Sequence, residues 1–329
     1  MRRNKIVFAC NNLFWIKTNF CIYLSFLTDL TTMYYYVLPK EVKTDKDGYA
    51  AIASVYHAIK SQKDLEVTID FSKCISFDAN LSAVLGAVLD LLIIEREHRI
   101  WFSPANRSVR RRLSRNNFFR AWNVDTITED REHYITYQKF PRENSTEFKE
   151  YIEKELLQKQ KFPIHTKLVG THITENIFEI YANAIMHGHT EFVHSCGEYN
   201  NNIHTLDMTI VDCGLTIPHN VNSFLSKTGK GPLNPCEAIE WAFVDGNTTK
   251  DTPGGLGLAI LKQFIEKNQG CLQIVSGDAF LEFSSKGTSS QLLSLNFPGT
   301  IVNMKFNFDD DNKYLMKSEL NNFDINNLL

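Results

Sequence analysis

The apolar and polar positions of this chain change period several times, and each change marks an element. Tyr34–Leu38 and Leu65–Phe71 read as strands, the second with a β-branched centre. Tyr49–Ser61 reads as a helix between them. Asp78 is placed to cap a long apolar helix over Leu81–Ile94, followed by a strand at Arg99–Ser103 and a helix at Ser108–Arg115. A strand over Ile135–Phe140 is expected to close this alternating series, which predicts helices packed on a sheet. Arg142–Lys161 is a charged helix former opened by Asn144 and Ser145. It reads as a linker helix or as a helix packed on the front of the next domain. Dimerisation is the alternative, though its apolar positions span too little for a coiled coil. Next come an amphipathic helix over Ile173–Gly188, an alternating strand at Thr205–Val211, a glycine-opened helix from Gly254, and a strand over Ile301–Phe306. The Asp- and Asn-rich end, 309–329, has little apolar periodicity and is expected to be peripheral or partly disordered.

Length and charge add boundaries. A chain of 329 residues is long for one domain and is read as two, over 33–142 and 143–308. The net charge of −3 argues against general nucleic-acid binding. The run Arg107, Arg110, Arg111, Arg112, Arg115 and Arg120 is read as a solvated helix face anchored by Val109 and Leu113, with a protein or acidic-partner surface second and a nucleic-acid footprint third. Seven scattered cysteines without a C-x-x-C pair suit reduced thiols and a cytoplasmic location. No stretch reaches about 18 uninterrupted apolar residues, so no membrane span is expected. Residues 1–32 begin with Arg2, Arg3 and Lys5 before an apolar run interrupted by Asn11, Asn12, Lys17 and Asn19. They are read as a leader or as sequence upstream of a start at Met33, with a membrane-associated leader as the alternative.

The candidate chemistry sits on the helix ITENIFEIYANAIMHG. At about 100° per residue, Glu179, Asn183 and His187 fall within roughly 80° of one another, opposite Ile173, Ile177, Ile180 and Ala184. A carboxamide oxygen is a neutral, hard ligand suited to Mg²⁺, and a carboxylate one turn away can hold or deprotonate a hydroxyl or water. Taken alone, the same stripe reads better as a solvated face. Downstream come Asp212-Cys213-Gly214, then Gly254-Gly255-Leu256-Gly257-Leu258, then Gly299-Thr300.

In this order the four segments resemble the GHKL ATPase superfamily, and the first, Glu179-xxx-Asn183-Ala184-xx-His187-Gly188, is most similar to the anti-sigma-factor serine kinase branch. The resemblance covers roughly Pro163 to Phe306. It implies a Bergerat-type α/β ATP-binding sandwich with ATP and Mg²⁺ as cofactors. Glu179 would be the catalytic base and Asn183 the metal ligand. Asp212, Gly214, Gly255, Leu256, Gly257, Leu258 and Thr300 would complete the nucleotide site, with Asp212 anchoring the adenine amino group. His187 reads as a phosphate or site contact or as a hydrogen-bonded structural histidine, and Lys250, in the small polar loop between the motifs, as a contact to the terminal phosphate or as an exposed loop lysine. Thr216 stands where the family has a second glycine. The segment VTIDFSKCISFDANLSAVLGAVL, with the later VRRRLSRNNFF, resembles the STAS fold of anti-anti-sigma factors. Ala79 and Asn80 stand where that family has a serine pair, and Ser82 is the nearest hydroxyl. Together the resemblances imply a STAS-like α/β domain ahead of the ATP-binding one. The implied activity is that of a serine/threonine protein kinase or ATPase, with a non-catalytic nucleotide-dependent switch as the alternative. The implied partners are a STAS-like or sigma-factor-like protein, or a second copy of the chain. No phosphoacceptor histidine helix precedes the site, which argues against a conventional histidine kinase.

Overall fold

The computed structural model describes residues 33–62, 66–124, 132–159, 161–244, 246–247 and 256–322, with the side chains of 256–260 and 321–322 excepted. The expectations for 1–32 therefore lie outside the described residues. The chain is mixed α/β with several sheets.

Its first part runs β1 (Met33–Val37), β2 (Glu41–Val42), α1 (Lys46–Ile59), β3 (Glu66–Asp70), β4 (Ser76–Phe77), α2 (Leu81–Arg96), β5 (Arg99–Phe102), α3 (Arg107–Arg115) and α4 (Phe118–Ala121). β1, β3 and β5 form a parallel three-stranded sheet in that spatial order, and β2 pairs with β4. The second part runs β6 (Tyr134–Pro141), α5 (Ser145–Ile152), a π-turn (Glu153–Leu157), α6 (Lys167–Met186), β7 (Phe192–Asn200), β8 (Thr205–Asp212), α7 (Ile217–Lys227), α8 (Pro235–Ala242), α9 (Leu256–Lys267), β9 (Cys271–Ser284) and β10 (Gly287–Asn307). Its antiparallel sheet has the order β6-β7-β8-β10-β9.

Helices α1 and α2 lie between the two sheets. They share one core with Cys196, Val211, Val275, Phe297 and Ile301 from the five-stranded sheet. That position explains why α2 is apolar almost all round: a helix with sheet on both sides has no wet face. The other face of the large sheet is covered by α5, α6 and α9, in a second core. Alternation along β8 divides the two faces. Leu206, Met208 and Ile210 join the second core, whereas Val211 joins the first.

Three expectations change here. The strand over Ile135–Phe140 does not close the first sheet; as β6 it pairs with β7, Phe140 opposite Val193, and so edges the large sheet. Asp78 does not cap α2. Its carboxylate accepts from Thr44 N at 2.7 Å and Thr44 Oγ1 at 3.0 Å, while Glu198 reaches over from β7 to take Ala79 N–H at 2.9 Å. The C-terminal segment is fastened as far as Glu319. Tyr314 packs on Phe264 at 4.8 Å and its carbonyl accepts from Thr166 N at 2.9 Å, while Glu319 takes Thr166 Oγ1 at 2.8 Å. Among the described residues no helix is long and apolar enough to cross a membrane.

The contact between α1/α2 and the large sheet is partly polar and fully buried. Asn303 Nδ2 donates to Asp207 Oδ1 at 3.0 Å, while its Oδ1 accepts from Thr209 at 2.8 Å and from Asn80 at 3.2 Å. Tyr49 OH donates to Gln273, 2.8 Å away. Replacing Asn303 with alanine removes the hub and strands several buried partners. The expected loss is roughly 2–4 kcal/mol, read as a lower denaturation midpoint in urea.

Candidate functional site

α6 starts six residues earlier than the periodicity alone suggests. Thr166 supplies its N-cap, Oγ1 accepting from Val169 N at 3.3 Å. Its buried stripe of Ile173, Ile177, Ile180 and Ala184 packs on the second core, which leaves Glu179, Asn183 and His187 along one wall of a cleft. Asp212, at the end of β8, and Thr300, its register partner on β10, form the floor. The cleft has about 950 Å³ of empty space, its open mouth included. Five of the residues expected in the site thus converge, although Glu179 and Thr300 are far apart in sequence.

Asp212 is the unusual group. Its carboxyl is buried, and among the described residues Oδ1 has no hydrogen-bond partner. Burial alone pushes its pKa up to about 7. A carboxylate withdrawn from water with an unused acceptor fits a ligand carrying an N–H donor. Thr300 Oγ1 is held by Ser276 Oγ at 2.8 Å, and Ser276 Oγ also accepts from Ile217 N at 2.8 Å. The start of α7 is thereby tied to the same corner.

Close backbone contacts shape that corner. A Cβ on Gly188 would lie 3.0 Å from Asp212 Oδ1 and 2.5 Å from Ala184 O. One on Gly299 would meet Asp212 O at 2.1 Å, and one on Gly214 would meet Gly188 O at 2.1 Å. Gly214 does not line the cleft. It lets the turn after β8 pack against the end of α6, where Leu215 N donates to Gly188 O at 2.8 Å. Thr216 is the N-cap of α7, accepting from His219 N at 3.3 Å.

His187 closes α6 with its N–H donating to Asn183 O at 2.8 Å. Lys250 and Gly255 lie outside the described residues. Leu256, Gly257 and Leu258 form the first turn of α9, as the glycine-rich run predicts, and only their backbone is described. The opposite wall comes from α7, α8 and the residues flanking them, which no motif in the sequence attaches to the site. It supplies Leu215, Asn220, Trp241 and Phe243, with Asn247 beyond. A signal for α8 itself is present: Asn234 and Glu237 form a capping box with Pro235 at the first helical position. For Asn220 and Trp241 there is none, since one amide and one indole on short helices match no motif.

Ser82 cannot present its hydroxyl to solvent. It is fully buried, Oγ donating to Ala79 O at 2.6 Å and accepting from Asn116 Nδ2 at 2.8 Å. The loop ahead of α2 abuts Thr209 and Asn303, on the face of the large sheet opposite the cleft.

A scan against protein-family models and a search of curated proteins both find no match to this chain.

Proposed function

We propose that this chain binds Mg-ATP in the cleft between α6 and α8, as a regulatory protein of the GHKL type resembling the anti-sigma-factor kinases, with a STAS-like unit ahead of it. One observation carries the reading: a buried carboxylate, Asp212, with an unused acceptor atom opens on a cleft that also holds a carboxamide and a second carboxylate. Asp212 suits the exocyclic amino group of adenine, since an ionised acceptor in a dry site favours an N–H donor. Asn183 offers a neutral oxygen to Mg²⁺. Glu179, one helical turn before it, is positioned to take the proton of an attacking hydroxyl or water. When bound, the metal offsets negative charge on the phosphates. The burial of Ser82 favours an acceptor outside this chain's first unit, either a separate protein or water.

Calorimetric titration with ATP, with and without Mg²⁺, tests binding, and ATP labelled in its terminal phosphate tests turnover. Saturable, Mg²⁺-dependent binding with label released or transferred supports the enzyme. The Glu179→Ala variant is expected to keep ATP affinity within a few-fold while turnover falls on the order of 10²-fold. Tight binding without turnover supports a nucleotide-dependent interaction switch instead. Absence of binding rejects both.

A further inference from the structure

The far wall of the cleft carries a polar group with a fixed direction. Asn220 stands one turn into α7, half-buried, and lines the same cleft as Asp212. Its Nδ2 donates to the carbonyl of His187 at 3.1 Å. Because a carbonyl can only accept, this bond settles which end of the carboxamide is nitrogen. Oδ1 is the other end, and among the described residues nothing donates to it. The side chain rests on a rigid base: Thr216 caps α7, and the first amide of the helix is held by Ser276.

The position of that oxygen has a chemical meaning. His187 and Gly188 are consecutive, and Gly188 lies against Asp212 Oδ1, so Asn220 is attached beside the acidic anchor. Along α6, Asn183 is about 6 Å and Glu179 about 12 Å further on, at about 1.5 Å per residue. A nucleotide with its base at Asp212 and its phosphates toward Asn183 and Glu179 has its sugar next to the base, at the His187 end. A neutral amide oxygen accepts from a hydroxyl and offers nothing to a phosphate.

We propose that Asn220 recognises the sugar, its Oδ1 accepting a hydrogen bond from a ribose hydroxyl, so that the cleft prefers ribonucleotides to deoxyribonucleotides. This rests on the nucleotide reading of the same cleft. The test is calorimetric titration of the parent and of Asn220→Ala with Mg²⁺ and each of ATP, 2′-deoxy-ATP and 3′-deoxy-ATP. The parent is expected to bind ATP about tenfold more tightly than at least one deoxy analogue. Asn220→Ala is expected to bind ATP as weakly as that analogue and to lose the discrimination. A parent that binds all three alike overturns the proposal without any variant. So does an Asn220→Ala protein that still discriminates. A parent that binds ATP but is indifferent to the hydroxyls leaves the nucleotide reading standing, whereas one that binds none of the three removes both.

Discussion

Replacing Asp212 with asparagine is expected to raise the thermal stability of the ligand-free protein while weakening ATP binding about 100-fold. The two shifts have one cause. The carboxyl is buried with Oδ1 unpaired, and burial holds its pKa at about 7, against about 3.9 in an unfolded chain. A neutral amide of the same shape removes that desolvation penalty. Because the folded state holds the proton more tightly than the unfolded one, the parent loses stability as pH rises from about 4 to about 7 and is level above. The gap between Asp212→Asn and the parent therefore widens across that window and then stays constant, by a few kcal/mol at most. With ATP present the parent gains more than the variant, and the gap narrows. Losing a charged acceptor for an N–H donor costs about 1.5–3 kcal/mol, the upper part of which corresponds to the loss given. Melting curves at several pH values, paired with calorimetry, read both effects. A variant less stable than the parent at pH 8 would mean that Asp212 holds the fold together rather than waiting for a ligand.

The second large effect comes from a single methyl group. In Gly214→Ala the new Cβ sits 2.1 Å from the carbonyl oxygen of Gly188 and 2.7 Å from its carbon. Neither is the loose end of a side chain. That same carbonyl accepts from Leu215 N, so the turn cannot rise without breaking a bond it makes itself. Relief requires the end of β8 to leave the end of α6, which carries Asp212 away from Gly188. A loss of about 3 kcal/mol or more is expected, enough to leave much of the protein unfolded or insoluble. Any folded fraction is expected to bind ATP poorly. Gly231→Ala is the control: among the described residues no heavy atom lies within 4 Å of its Cβ, and its stability should stay within about 1 kcal/mol of the parent. Urea denaturation of the three proteins decides it. A Gly214→Ala midpoint indistinguishable from that of Gly231→Ala refutes the account of the turn.

Legibility in the sequence varies by element. The helix α6 is visible because its apolar stripe repeats at helical spacing, and its polar stripe already groups Glu179, Asn183 and His187. β8 is visible through alternation. β7 is not: it is buried on both faces as β8 is, but His194, Ser195, Cys196 and Gly197 put polar or small residues on both of them, so its sequence shows no alternation. The burial of α2 follows from its composition, but the identity of its two neighbours does not. Asn80 and Asn303 look like ordinary polar positions in sequence, and only their mutual contact makes them core.

The sequence by itself determined the apolar character of α2, the apolar stripe of α6 and the grouping of Glu179, Asn183 and His187 on the other stripe of that helix. Those properties depend on neighbours three or four positions away. Tertiary structure alone decided that Ile135–Phe140 edges the second sheet, that the loop before α2 is sealed against the sheet's back, and that Asn220 meets the carbonyl of His187. Such contacts depend on strand order and on backbones approaching across tens of residues, and no local pattern carries that information because many pairings satisfy the same alternation equally well.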